Sequence, residues 1–112
     1  MWIGVATEAD GTDGAKEDAA WTFANLATRN QESVLQSIAD AHAVPLLVKL
    51  LADGTNKGKE GAVRALNYLS FHSEAFKQSI TEADAIPLLK TLLVDGAVFS
   101  KQYAARALQN LS

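Results

Sequence analysis

Three pairs of side chains recur along this sequence, each pair spaced by one helical turn. They are Trp21 with Asn25, Arg64 with Tyr68, and Arg106 with Asn110. The planar forks of Arg64 and Arg106 suit carboxylates or phosphates in a paired geometry. A tryptophan at an exposed helix position also requires a partner of some kind. The six residues therefore predict a binding surface, and the two arginines favour an acidic or phosphorylated ligand.

The same residues allow an alternative in which the surface binds nothing. Trp21 could pack on Arg64 or Tyr68 of the same chain through aromatic or cation–π contact. Each arginine could likewise pair with an acidic side chain of its own protein, such as Glu60 or Asp18.

Residues suited to catalysis or metal binding are sparse. The sequence has no cysteine and only two histidines, His42 and His72, which are expected to be turn residues rather than metal ligands. The segment 54–59 lacks the spacing of a phosphate-binding loop, and the segment 10–14 is too short for a calcium loop. Asn110-Leu-Ser112 is formally a glycosylation sequon but lies in a predicted helix. We therefore expect no enzyme activity, no metal and no cofactor.

Bulk composition limits the partners. The 112 residues carry a net charge of −3, so nothing favours nucleic acid by bulk attraction. No apolar run approaches the roughly 18 residues of a membrane span, and the segment 1–6 does not resemble a signal peptide. A cytoplasmic or nuclear protein that binds neither nucleic acid nor membrane is expected.

An internal repeat sets the fold. Residues 43–70 match residues 85–112 without a gap, with 15 of 28 positions identical, at an offset of 42 residues. A weaker copy lies upstream, where Ala9 to Thr12 align with Ala52 to Thr55 at an offset of 43. A period of about 40 to 47 residues indicates a helical solenoid, in which each unit buries its apolar face against a neighbour. We expect one all-α domain over 1–112, with a partial repeat 1–28 and full repeats 29–70 and 71–112.

Each full repeat is predicted to contain three helices. The first helices span about 31–39 and 73–82. The second open on Pro45 and Pro87, where a proline in the first turn costs nothing, and end at Gly54 and Gly96. The third span about 57–70 and 98–112, and the partial repeat supplies an equivalent helix over about 13–28. Between the first and second helices, His42 and Asp84 are expected to adopt a left-handed conformation.

Apolar spacing predicts which face of each third helix is buried. In the middle copy the stripe comprises Ala62, Ala65, Leu66 and Leu69, and in the last copy it comprises Ala104, Ala107, Leu108 and Leu111. In the first copy, Ala19, Phe23 and Leu26 occupy the same register. On a helical wheel at about 100° per residue, the six candidate binding residues lie on the opposite side.

Taken together, the pattern resembles the armadillo repeat. The features that carry the resemblance are the Ala-[Val/Ile]-Pro-Leu-Leu-x-x-Leu-Leu opening of the second helix and the Arg-Ala-Leu-x-x-Leu-Ser close of the third. It covers nearly the whole chain, about two and a half repeats. HEAT repeats are the near neighbour, but they usually lack the separate short first helix.

The resemblance implies a right-handed α-solenoid whose third helices line a concave groove for extended peptides. In peptide-binding members a Trp-x-x-x-Asn motif lies on the third helix, where the asparagine holds the ligand backbone. Trp21 and Asn25 match that motif, and Arg106 and Asn110 keep only the amide. Arg64 and Tyr68 depart from it at both positions.

Two classes of function remain open. The first is an interaction scaffold that binds a partner's extended segment in the groove, with Asn25 and Asn110 on its backbone and an acidic residue at the arginines. The second is a structural or self-assembling unit. A regulatory arm of a larger protein, such as a plant-type ubiquitin ligase, is a further alternative. Because neither end resembles a polar capping repeat, we expect a fragment of a longer array or a homo-oligomer formed through the ends.

Overall fold

The computed structural model describes residues 13–29 and 31–112, apart from the Asp13 side chain. This part of the chain is all-helical, as the repeat predicts. Its seven helices are α1 (Asp13–Ala27), α2 (Glu32–Asp40), α3 (Ala43–Asp53), α4 (Asn56–His72), α5 (Glu74–Glu82), α6 (Ala85–Asp95) and α7 (Val98–Leu111). Helices α2–α4 and α5–α7 form the two full repeats. The remnant of a second helix that the repeat leads us to expect over residues 1–9 lies outside the described residues.

The sharp turn into the second helix of each repeat is confirmed. His42 has φ 55° and Asp84 has φ 62°, both in the left-handed region, and each is the residue before a second helix. The two turns use the same backbone solution because both must redirect the chain within one residue. His and Asp tolerate this region better than most non-glycine residues.

Gly54 and Gly96 end the second helices as predicted, but close approach is the reason for glycine. Both residues have φ −74°, so neither needs the left-handed freedom of glycine. A Cβ atom at Gly54 would lie 2.6 Å from Leu50 O, and one at Gly96 would lie 2.6 Å from Leu92 O. Any larger residue would therefore have to shift the backbone at the end of its helix.

The third helices form one layer, in which α4 packs on α1 at one side and on α7 at the other. The predicted stripe of α4 is confirmed, since Ala62, Ala65, Leu66 and Leu69 are fully buried. At the start of α4, Thr55 accepts a hydrogen bond from Gly58 N and donates one to Glu17 Oε2 of α1. Helix α4 is thus the centre of the core, and a hydrogen bond at its start connects it to α1, the third helix of the preceding repeat.

The buried faces of the two outer third helices differ from the middle one. In α1 the predicted face is partly covered: Ala19, Phe23 and Leu26 are half-buried, and Phe23 and Leu26 pack against the core. The fully buried positions are Ala20, Ala24 and Ala27, which lie one residue further on, about 100° around the helix. Helix α1 lies against α4 through these alanines, which allow close approach.

In α7 only half of the predicted stripe is fully covered. Ala104 and Ala107 are buried, while Leu108 and Leu111 are half-buried. Both leucines pack against the core with part of their surface. Their equivalents on α4, Leu66 and Leu69, are fully buried.

No single described helix is long and apolar enough to span a membrane. The pair α2 and α3, bent by 68° at its break, reaches that length and composition only when both helices are combined. Its largest apolar residues, among them Ile38, Leu47 and Leu50, are buried in the core.

Candidate functional site

All six predicted binding residues lie on the layer of third helices. Helix α1 carries Trp21 and Asn25, α4 carries Arg64 and Tyr68, and α7 carries Arg106 and Asn110. We call the face of α1, α4 and α7 that bears these residues the ladder face. None of the six is fully buried: Asn25 and Arg106 are exposed and the other four are half-buried.

Trp21 is held against the neighbouring helix. Its indole Nε1 donates a hydrogen bond to Lys57 O of α4 at 3.1 Å. The ring lies over Gly61, where an added Cβ would come within 2.9 Å of Trp21 Cδ1. One hydrogen bond and one close packing contact thus fix the indole across the boundary between the partial repeat and the first full repeat.

Arg64 is enclosed by aromatic rings. Its Cζ lies 4.9 Å from the centroid of Trp21 and 4.6 Å from that of Tyr103, with Phe99 at 6.0 Å. These distances are within the range of cation–π attraction. The packing of Trp21 on the next repeat's arginine, which is the alternative to ligand binding that the sequence left open, is therefore present in the structure.

The guanidinium of Arg64 also has an acidic partner. Arg64 Nη2 donates to Glu60 Oε2 at 3.1 Å, one turn earlier on α4. The buried Nε has no hydrogen-bond partner within the described residues. Arg64 is thus largely committed to contacts inside its own chain, as the alternative interpretation of the sequence anticipated for this residue.

Tyr103 is the important residue that sequence reasoning missed. It occupies the repeat position of Gly61, so Arg64 lies over Tyr103 much as Trp21 lies over Gly61. The repeat alignment contained a signal, because the large aromatic residue Tyr103 stands where the preceding copy has Gly61, at a position that faces the preceding third helix. That comparison would have placed Tyr103 on the ladder face.

Arg106 is the exposed cation of the ladder face. Its Cζ lies 5.4 Å from the centroid of Tyr103, the same ring that Arg64 contacts. Among the described residues no acidic side chain forms an ion pair with Arg106. Its guanidinium therefore has unused donors on the surface.

Tyr68 lies beside the same aromatic ring. Its ring packs edge-on to that of Tyr103, with centroids 6.2 Å apart. Burial raises the pKa of Tyr68 above its ordinary value, and a hydrogen bond and the charge interaction with Tyr103 raise it further. The nearby Arg64 and Arg106 oppose that shift without cancelling it. Tyr68 is consequently a neutral phenol at physiological pH.

Asn110 bridges two helices. Its Nδ2 donates to Asn67 O at 3.3 Å, Asn67 Oδ1 at 3.1 Å and Ser70 Oγ at 3.2 Å, all on α4. Asn67 and Ser70 are buried, so Asn110 satisfies polar groups that water cannot reach. Asn25, the equivalent residue on α1, has its side chain on the exposed surface.

A pocket of about 430 Å³ opens next to Arg106 at the carboxyl ends of the third helices. Its lining combines a cation, amides, a phenol and an aromatic ring, from the residues Thr28, Asn67, Tyr68, Phe71, His72, Arg106, Gln109 and Asn110. Phe71 is 69% exposed and stacks edge-on with His72 at 5.1 Å. The pocket thus brings together three of the six predicted residues, Tyr68, Arg106 and Asn110, while Trp21 and Arg64 lie farther along the ladder face.

The described residues contain no cluster of acidic and histidine side chains that could hold a metal ion. His42 lies in a turn, as the sequence indicated, whereas His72 is the last residue of helix α4 and not a turn residue. In the segment 54–59, Thr55 is the N-cap residue of α4 and residues 56–59 form its first turn.

Three known structures of similar shape are two designed armadillo repeat proteins and one engineered protein. A designed armadillo repeat protein in complex with the peptide (KR)4 shares 28% identity, with a TM-score of 0.79 over 92% of this chain. A second designed armadillo repeat protein shares 27% identity over 92% of this chain, with a TM-score of 0.82. An engineered protein solved by a structural genomics consortium shares 28% identity over 88% of this chain, with a TM-score of 0.80.

This chain spans 43% of each designed protein and 40% of the engineered one. No protein-family model matches the sequence, and neither does any curated protein. The structural similarities show an armadillo-like repeat fold, which is a right-handed α-solenoid of three-helix repeats.

Proposed function

We propose that this armadillo-like scaffold binds an extended segment of a partner protein along the ladder face. The observation that carries the proposal is the exposed guanidinium of Arg106, which stands beside a mixed polar and aromatic pocket. The designed armadillo protein in complex with (KR)4 supports a peptide as the class of ligand.

An acidic or phosphorylated residue suits Arg106 best. A guanidinium that already rests on the ring of Tyr103 keeps its edge donors available for a carboxylate or phosphate. Arg64 contributes less than its sequence position suggested, because Glu60 and two aromatic rings already occupy it. The preference therefore rests mainly on one arginine, with Arg64 adding to the local positive potential.

The peptide bound by the designed armadillo protein, (KR)4, consists of lysine and arginine in one-letter code. Its charge is therefore opposite to that of the acidic ligand proposed for this chain. Members of the family that bind basic peptides carry tryptophan at the ladder positions where this chain has Arg64 and Arg106. Replacing two neutral rings by two cations repels a basic ligand locally. We infer that ligand charge is reversed on this scaffold.

Backbone recognition would come from the two asparagines. Asn25 presents its amide on the exposed surface of α1. Asn110 uses its Nδ2 within the chain, and no hydrogen bond to its Oδ1 comes from the described residues. Asn110 can therefore accept a hydrogen bond from a ligand N–H.

The test compares fluorescently labelled (DE)4, (KR)4 and (GS)4 peptides by anisotropy. We expect (DE)4 to bind, with Arg106→Ala weakening it by about tenfold, since charge-assisted hydrogen bonds contribute about 1.5–3 kcal/mol. The double variant Arg64→Ala/Arg106→Ala should weaken the binding free energy of (DE)4 by a few kcal/mol at most, and added salt should weaken binding in the same way. Lys90→Ala on α6, which removes the same charge away from the ladder face, is the matched control.

Binding of (KR)4 without any response to (DE)4, unchanged by the arginine substitutions, would exclude the acidic ligand. Equal weakening by Lys90→Ala and Arg106→Ala would show a general charge effect rather than a site.

A further inference from the structure

The outer side of α7 has the residue pattern of an interface. Positions of α4 that α7 covers are buried, namely Val63, Asn67 and Ser70. Their repeat equivalents on α7 point away from α4 and are exposed, namely Ala105, Gln109 and Ser112. The outer side of α7 therefore has the same kinds of residue, in the same spacing, as the side of α4 that packs against α7.

We propose that a second copy of this chain stacks on this side, with its α1 against α7. The contact between α4 and α7 supplies the template, in which Asn110 Nδ2 donates to Asn67 Oδ1 at 3.1 Å and to Ser70 Oγ at 3.2 Å. The repeat equivalent of Asn110 on α1 is Asn25, which is exposed. Asn25 of the second copy would meet an amide oxygen and a hydroxyl on α7.

Those acceptors are Gln109 and Ser112, the equivalents of Asn67 and Ser70. The amide and hydroxyl groups that meet at the boundary between α4 and α7 thus have equivalents on α1 and on the outer side of α7. The boundary between α1 and α4 lacks them, because Ala24 and Ala27 stand at the corresponding places.

Charge complementarity points to the same occupant. Within the chain, Arg64 lies over Tyr103 at 4.6 Å. The equivalent pair between copies is Arg106 with Asp18, and both residues are exposed. Between two copies, the Arg106 guanidinium would thus face the Asp18 carboxylate, at the position where Arg64 faces the Tyr103 ring between α4 and α7.

Trp21 extends the match. Arg64 Cζ lies 4.9 Å from the ring centroid of Trp21 on α1, the third helix of the preceding repeat. The same register between copies brings Arg106 next to Trp21 of the second copy. The series of cation and aromatic contacts would then continue from one molecule into the next.

Such stacking is heterologous, because the two surfaces are different. A head-to-tail contact leaves one free surface at each end, so association extends into open chains rather than stopping at a dimer. Stacking of this kind involves the outer third helices α1 and α7 and does not depend on peptide binding, so it can be measured without peptide.

The experiment uses two charge reversals that each block self-stacking. In Asp18→Arg, Arg106 of one copy meets the introduced guanidinium of the next copy, and in Arg106→Glu, the introduced carboxylate meets Asp18. Sedimentation velocity of the wild-type chain from about 10 µM to about 1 mM, the range of weak interfaces, should show association that grows with concentration. Each variant alone should weaken it by at least about tenfold, because like charges then face one another.

The mixture of the two variants is the decisive sample. Each contact between the introduced guanidinium of one variant and the introduced carboxylate of the other joins opposite charges, so the equimolar mixture should associate although neither component does. Lys90→Glu, an equal charge change on the surface of α6, should associate as the wild type does. A wild-type chain that stays monomeric at about 1 mM, or a mixture that stays monomeric, would overturn the proposal.

Discussion

The indole ring of Trp21 occupies the space that a side chain at Gly61 would need. An added Cβ at Gly61 would lie 2.9 Å from Trp21 Cδ1 and 3.0 Å from Trp21 Nε1. The ring cannot withdraw freely, because its Nε1 is bonded to Lys57 O at 3.1 Å. The glycine in the middle of α4 is therefore explained by a neighbouring helix, and no unusual backbone angle is involved.

Gly61→Ala should accordingly fail to stabilise the protein. In an ordinary helix interior this change gains about 0.5–1 kcal/mol. Here we expect a neutral or negative change in the free energy of unfolding, measured by urea denaturation. In a Trp21→Ala background the same change should recover the ordinary gain. An equal gain in both backgrounds would show that Trp21 does not determine the glycine.

Arg64 should contribute to stability, in contrast to Arg106. Arg64→Lys removes the planar group that lies between Trp21 and Tyr103 and should cost about 1 kcal/mol. Arg106→Lys is the matched control and should cost little, because Arg106 is exposed. A double-mutant cycle with Tyr103→Leu should give a coupling energy for Arg64. Equal costs for the two lysine variants would contradict the enclosed arrangement.

The repeat made most of the fold predictable. Pro45, Gly54 and their equivalents mark the second helices locally, because turn and cap residues act on their own backbone. The partners of the ladder residues were harder to predict. Tyr103 contacts Arg64 across 39 sequence positions, and only the stacking of two helices brings them together.

The most deeply buried stripe of α1 is not the one that hydrophobicity indicates, and the difference has a physical cause. Two sets of residues at i, i+4 and i+7 compete there, one with Phe23 and Leu26 and one made only of alanines. Hydrophobicity favours the first set. Close packing on α4 selects the alanines, since small side chains allow the two backbones to approach. Composition alone does not distinguish these requirements.

The left-handed turns predict a difference between two substitutions at one position. His42 has φ 55°, so His42→Gly should be neutral or stabilising, whereas His42→Val should cost about 1 kcal/mol or more. Asp84, with φ 62°, should give the same pair of results. Thermal unfolding followed by circular dichroism measures both. Similar stability of the glycine and valine variants would be inconsistent with the positive φ.

Asn110 should matter more for stability than its half-exposed position suggests. Its Nδ2 satisfies Asn67 Oδ1 and Ser70 Oγ, both on residues that are buried. Asn110→Ala leaves those groups without their donor, and we expect a loss of about 1–3 kcal/mol in urea denaturation.

Asn25→Ala is the natural control, because it removes the same amide from the equivalent position of α1, where it is exposed. That change should be nearly neutral in dilute solution. The combination Asn110→Ala with Asn67→Leu should recover part of the loss, because an apolar residue at position 67 no longer requires the donor. A neutral Asn110→Ala, or an Asn25→Ala that costs as much, would show that the bridge between α4 and α7 does not stabilise the stack.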